Sequence, residues 1–178
     1  MGAHPDFANE YARAVLGGPG VVLEPEKKTS FKSQGVSNSM FETTLYTDRG
    51  IRAYQSFRRP SREPDAMYGQ EDCLLMSVGD GLDGALHRAH GGFNSLVLDQ
   101  VAGRCAHDSV PGPAPAATAT LTVEFKAPVQ TPGLLLCRAW VTATERRKIW
   151  VSGVLEDANG RACATCKALF IAARPAAL

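Results

Sequence analysis

The stretch that most limits how this chain can fold runs from His90 to about Ala106, HGGFNSLVLDQVAGRCA. Its spacing predicts a helix whose apolar residues, Phe93, Leu96, Val97, Leu98, Val101 and Ala102, lie nearly all round the circumference. A helix of that kind has to be buried, so the rest of the chain must cover it. The cover follows at once. TATLTVEFKAPV alternates Ala119, Leu121, Val123 and Phe125 with Thr120, Thr122 and Glu124, as a half-buried strand does. LLLCRAWVTATE, KIWVSGVLED and RACATCKALFIAA are further β runs, and Asp157-Ala158-Asn159-Gly160 makes a hairpin turn before the last of them. The reading is an α+β fold: one long central helix wrapped by a curved antiparallel meander, each burying the other's apolar face.

Upstream, CLLMSV reads as a buried strand and GDGLDG as a glycine-rich loop leading to His90. Residues 5 to 16 place Phe7, Tyr11, Val15 and Leu16 at helical intervals and end at Gly17-Gly18, predicting a short N-terminal helix packed on the body. Pro25 to Val36 is polar and aperiodic. Met40 to Tyr46 and Ile51 to Phe57 are expected as two short extended pieces around Thr47-Asp48-Arg49-Gly50, with Arg58 to Gln70 an exposed loop. His107 to Ala116 holds three prolines and a glycine and is expected as a loop. These readings divide the chain into an N-terminal helix and linker, 1–37, and a main domain, 38–178.

Charge and composition narrow the function. Nineteen basic against eighteen acidic residues leave no basic footprint for nucleic acid. No run approaches the roughly 20 apolar residues of a membrane span, and Asp6, Glu10 and Glu24 interrupt any secretory leader, so the expectation is a cytoplasmic protein with no membrane partner. Five scattered cysteines do not make a disulfide framework. Cys163 and Cys166 form a C-x-x-C on a predicted strand, where their side chains diverge, and no second ligand pair accompanies them, so neither a metal nor a redox cofactor is expected.

The run AHGGFNSLVLDQVAG resembles the helix-opening signature of hotdog-fold thioesterases of the phenylacetyl-CoA thioesterase type: His-Gly-Gly, then an acid nine positions after the histidine, here Asp99. Ala119-x-Leu121, Phe125-Lys126-x-Pro128 and Arg147-Lys148 are similar to that family's strands, so the resemblance covers roughly residues 70 to 173, and NSMFETTLYTDRGIRAYQSFRRP is similar to a fungal branch of the same superfamily. The resemblance implies a hotdog fold, an acyl-CoA or acyl-carrier-protein thioester as substrate, and a homodimer, with tetramers common among such proteins. Gln100 stands where a second acid is frequent, Arg146 where glycine is common, and His87 and Arg88 where small or apolar residues are usual.

The residues support chemistry in their own right. Gly91 and Gly92 open a helix and expose backbone N–H groups that favour developing negative charge. Adding water to a thioester creates an oxyanion, and a preorganised donor contributes about 2.7 to 4 kcal/mol to stabilising it. Gly92 N–H is the first candidate donor. Asp99, partly desolvated among Leu96, Val97, Leu98 and Val101, suits a base that activates water, or a nucleophile. Yet Gly92 and Asp99 lie about 10 Å apart along one helix, too far for one carbonyl, and the dimer implied by the resemblance would let each site draw on two chains. His90 then orients the loop or contacts the substrate carbonyl. His87, Arg88, Phe93 and Gln100 are candidate substrate contacts, and Lys126, Arg147 and Lys148 are candidates for an anionic handle. The bland readings are close packing at Gly91 and Gly92, a cap at His90, and an Asp99 paired with Arg104. A non-hydrolytic biosynthetic step (dehydration, cyclisation or isomerisation) in the same pocket, prompted by His87-Arg88, and a non-catalytic binding module stand as alternatives to hydrolysis.

Overall fold

The computed structural model describes residues 4–24, 38–110 and 115–174. Along the chain run α1 (Glu10–Leu16), β1 (Val22–Leu23), β2 (Ile51–Pro60), β3 (Gln70–Val78), β4 (Asp83–Ala85), β5 (Arg88–Ala89), α2 (Gly91–Ser109), β6 (Ala117–Phe125), β7 (Gly133–Glu145), β8 (Lys148–Asp157) and β9 (Ala162–Ile171). Seven strands form one antiparallel sheet in the order β1-β2-β3-β7-β8-β9-β6, and β4 and β5 make a small separate hairpin. This is the hotdog arrangement: α2 packs on the inner face of the curved sheet, against β3, β6, β7, β8 and β9. Val97, Leu98 and Val101 of α2 are at most 1% exposed, and burying each contributes about 1.5–3 kcal/mol.

β3 shows why CLLMSV is apolar at every position. Leu74, Met76 and Val78 join the core under α2, while Cys73 and Leu75 join a second cluster on the opposite face, where Phe7, Ala12, Phe57 and Leu136 pack. The N-terminal segment thus covers the outer face of β2, β3 and β7, as its apolar spacing predicts. A strand buried on both faces loses its polar alternation.

Three expectations are corrected. Met40–Thr44 is a π-helical turn, not an extended piece: Leu45 N–H donates to Met40 O five residues back, at 2.8 Å, and the turn carries Phe41 into the core. Arg58 to Gln70 is not all loop, because β2 continues to Pro60 and β3 begins at Gln70, paired through Arg59↔Glu71. The strands after α2 are not a simple meander: β6 does not adjoin β7 but pairs along β9, becoming the last strand of the sheet. Leu121 and Val123 of β6 are half-buried against the core, whereas Phe125 is left 58% exposed at that edge. α2 also runs three residues past Ala106, to Ser109. The Pro25 to Val36 segment and residues 111–114 lie outside the described residues. In the turn after β8, the left-handed position is Gly160 (φ +74°), and Asp157 Oδ1 accepts from Asn159 and Arg161 N–H.

Candidate active site

The start of α2 is built by the backbone. His90 is the N-cap: its Nδ1 accepts from Gly92 N–H at 2.9 Å, and its carbonyl accepts from Phe93 and Asn94 N–H. Gly92 is glycine for a local reason, since a Cβ there would lie 2.9 Å from His90 Nδ1 and push the ring off its cap. Gly84 plays the same part from β4, where a Cβ would meet His90 Cα at 2.8 Å, and Leu82 O holds His90 N–H. The glycine-rich loop is therefore the seat on which the cap rests. Gly91 lies under the Phe125 ring, at 3.4 Å from where its Cβ would be. His90 and Gly92 are exposed, and Phe93 is buried in the core.

Two turns on, Asp99 is half-buried, and its Oδ1 accepts from Thr118 Oγ1 at 2.9 Å. The second carboxylate oxygen has no hydrogen-bond partner among the described residues. Asp99 is not paired with Arg104, whose guanidinium goes instead to Cys73 O (2.8 Å) and faces Glu24 (3.7 Å) and Asp72 (3.8 Å). Asp99 and Gln100 line a cavity of about 400 Å³ on the side of α2 turned away from β7 and β8. Its walls include Ile51 and Tyr54 of β2, Leu74 and Met76 of β3, and Phe170 of β9, with Phe41 and Asn38 of the π-turn segment at one side. Gln100 Nε2 donates to Asn38 Oδ1 at 3.3 Å, tying that segment to the helix.

Of the residues singled out from the sequence, the cavity takes in Asp99 and Gln100 but none of His87, Arg88, His90, Gly91, Gly92, Phe93, Lys126, Arg147 or Lys148. His87 has φ +56° at the exposed tip of the β4–β5 hairpin, and Arg88 is exposed beside it, bridged to Gln130. Lys126 is exposed and ion-paired with Glu124. Arg147 donates to Ala172 O at 2.8 Å, and Lys148 is exposed at the start of β8. Thr118, Asn38 and His107 escaped the sequence reading, and Arg104 entered it only as a partner for Asp99. Strict alternation puts Thr118 on the outer face with Thr120 and Thr122, but a register shift between Thr118 and Thr120 turns it inward to Asp99, so neither its side nor its partner was legible. The five cysteines are free and buried, and burial pushes the Cys166 thiol up to about 11, with Cys73, Cys105 and Cys137 also raised by desolvation, which leaves them protonated and poor nucleophiles.

Residues 86–164, from the β4–β5 hairpin through α2 into β9, match the family described as the Thioesterase superfamily. That match makes this region similar to the Thioesterase superfamily, and the architecture around it is the hotdog fold. Among curated proteins none matches the chain's sequence. Solved structures share the fold: the E. coli PaaI protein from the phenylacetic acid degradation operon is 13% identical, covers 58% of this chain and 73% of its own, with a TM-score of 0.54. AziG of S. sahachiroi is 22% identical (59% of this chain, 85% of that one, TM-score 0.55). A Bacillus halodurans protein solved with CoA is 21% identical (56% of this chain, TM-score 0.52). The match spans 65% of that protein and 51% of another superfamily member, RHA08564 (24% identical, 57% of this chain, TM-score 0.50).

Proposed function

We propose that this chain is an acyl-thioester hydrolase, acting on acyl-CoA or acyl-carrier-protein thioesters, in which Asp99 activates water and the first-turn amides of α2 receive the oxyanion. The observation that carries the reading is Asp99 itself: a carboxylate at the wall of a mostly apolar cavity, fixed through one oxygen by Thr118 and open at the other. A fixed carboxylate of this kind can take a proton from water attacking a carbonyl seated at the cavity. The CoA held by the B. halodurans fold relative supports coenzyme A as the thiol partner.

The donor end needs a second subunit. β6 is the last strand of the sheet and is largely exposed. Pairing two copies of it antiparallel about a twofold axis at Thr122 keeps like faces together and sets the Thr118–Ala119 bulge of one chain opposite Phe125 of the other. Thr118 holds Asp99 and Phe125 covers Gly91, so this homodimer brings the α2 start of one protomer to Asp99 of the partner subunit. The incoming carbonyl oxygen replaces His90 Nδ1 as acceptor of the Gly92 N–H, with Gly91 N–H, which has no acceptor one turn earlier in the helix, beside it. His90 then serves as the cap that keeps this turn ordered while the site is empty. Arg88 and Lys126 lie at the same end and Arg147 and Lys148 at the other, so the mouth of the joint site carries cations for an anionic handle.

Hydrolysis is favoured over a non-hydrolytic step because His87, half of the pair that prompted the latter, sits at the exposed tip of the β4–β5 hairpin. The test is thiol release from short, long and aromatic acyl-CoAs. Wild type is expected to release thiol, and Asp99→Asn at unchanged fold to lose about a hundredfold or more in kcat. Release unaffected by Asp99→Asn would remove the carboxylate from the mechanism.

A further inference from the structure

The cavity continues well past Asp99. α2 lines it with Asp99, Gln100, Gly103, Arg104 and His107, a stripe at helical spacing that carries it about 12 Å from Asp99 to His107. Its middle is apolar, with Ile51, Leu74, Met76 and Phe170, and Gly103 keeps it open: a Cβ there would sit 3.3 Å from the Phe170 ring. The far end changes character. Arg104 Nε and His107 Nδ1 are buried and have no hydrogen-bond partner, an arrangement that is costly to leave unmet.

The cations there already have carboxylate partners. Arg58 bonds Asp72 (3.0 Å) and Asp108 (2.6 Å), and Arg104 faces Glu24 and Asp72, so two guanidiniums stand among three carboxylates. An anionic group arriving there meets an excess of negative charge, and a hydrocarbon end leaves the polar atoms unpartnered. A neutral oxygen does neither.

We propose that the acyl group taken by this site is of medium length and carries a neutral oxygen, a hydroxyl or ketone, at the end remote from the thioester, recognised by His107 and Arg104. The inference rests on the hydrolase reading for placing the thioester at Asp99 and adds the specificity of what lies beyond.

The test is calorimetric binding of three non-hydrolysable CoA thioethers, S-decyl, S-(10-hydroxydecyl) and S-(9-carboxynonyl), to the wild type, His107→Leu and His107→Gln. The hydroxylated thioether is expected to bind at least about tenfold tighter than S-decyl, the effect of one neutral hydrogen bond, and the carboxylated one more weakly than the hydroxylated. His107→Leu brings the hydroxyl and alkyl affinities to within about twofold, and His107→Gln keeps part of the preference. Equal affinities in the wild type, tightest binding of the carboxylate, a preference surviving in His107→Leu, or no binding of any thioether would each overturn the proposal. Thiol release from decanoyl-CoA reads the hydrolase reading separately: hydrolysis without the preference sinks only this inference, and the preference without hydrolysis sinks only the reaction.

Discussion

At its start α2 is fixed almost entirely by neighbouring residues: His90 caps Gly92, Gly84 makes room for His90, and the donors are backbone amides. Two turns later the same helix depends on side chains brought from far along the chain, Thr118 to Asp99 and Asn38 to Gln100. The first region needs glycine and a cap, and almost any substitution there changes backbone geometry. The second needs particular functional groups at particular distances, and isosteric replacement there changes chemistry while leaving the helix intact. One helix thus carries two kinds of site, and they should fail in different ways.

The sharpest contrast is Gly92→Ala. Its Cβ would displace the His90 ring and occupy the approach to the amide, so activity should fall by about a hundredfold, although alanine is the better helix former. Steady-state thiol release beside thermal melting checks both halves, and a fall in activity matched by a large fall in Tm would mean the helix start itself had collapsed. His90→Ala separates the cap from the chemistry. Losing an N-cap costs about 1 kcal/mol of stability, visible in urea denaturation, while kcat should change by less than about tenfold because the Gly92 N–H is freed and not lost. A much larger loss would make His90 a substrate contact. The smallest expected effect lies away from both regions. Arg146 holds φ +55° in the β7–β8 turn, and Arg146→Gly should gain up to about 1 kcal/mol by relieving that left-handed strain, with unchanged activity.

The same contrast explains what the sequence disclosed. Local features were readable: the apolar circumference of α2, the cap-and-glycine pattern at His90-Gly91-Gly92, and the alternation of β6 need only a few neighbouring residues. What escaped depends on long-range pairing. The crossing of β6 to β9 puts Thr118 beside Asp99 and leaves Phe125 over Gly91, and nothing in TATLTVEFK distinguishes pairing with β9 from pairing with β7. The Met40–Thr44 turn looked extended because its single inward residue, Phe41, gives no helical repeat in so short a run. Arg104 suggested a partner for Asp99 and His107 the start of a loop, and only the cavity beside them puts their unpartnered atoms in a site.

In the proposed homodimer one catalytic site is made from the α2 start of one protomer and Asp99 of its partner. Co-expressing differently tagged Gly92→Ala and Asp99→Asn chains and isolating the heterodimer tests it directly. If each site spans two subunits, both lesions fall in one site and the other is intact, so the heterodimer should recover about half the wild-type thiol-release activity. Activity no higher than that of either variant alone, or a chain that forms no dimer, would exclude a site shared between subunits.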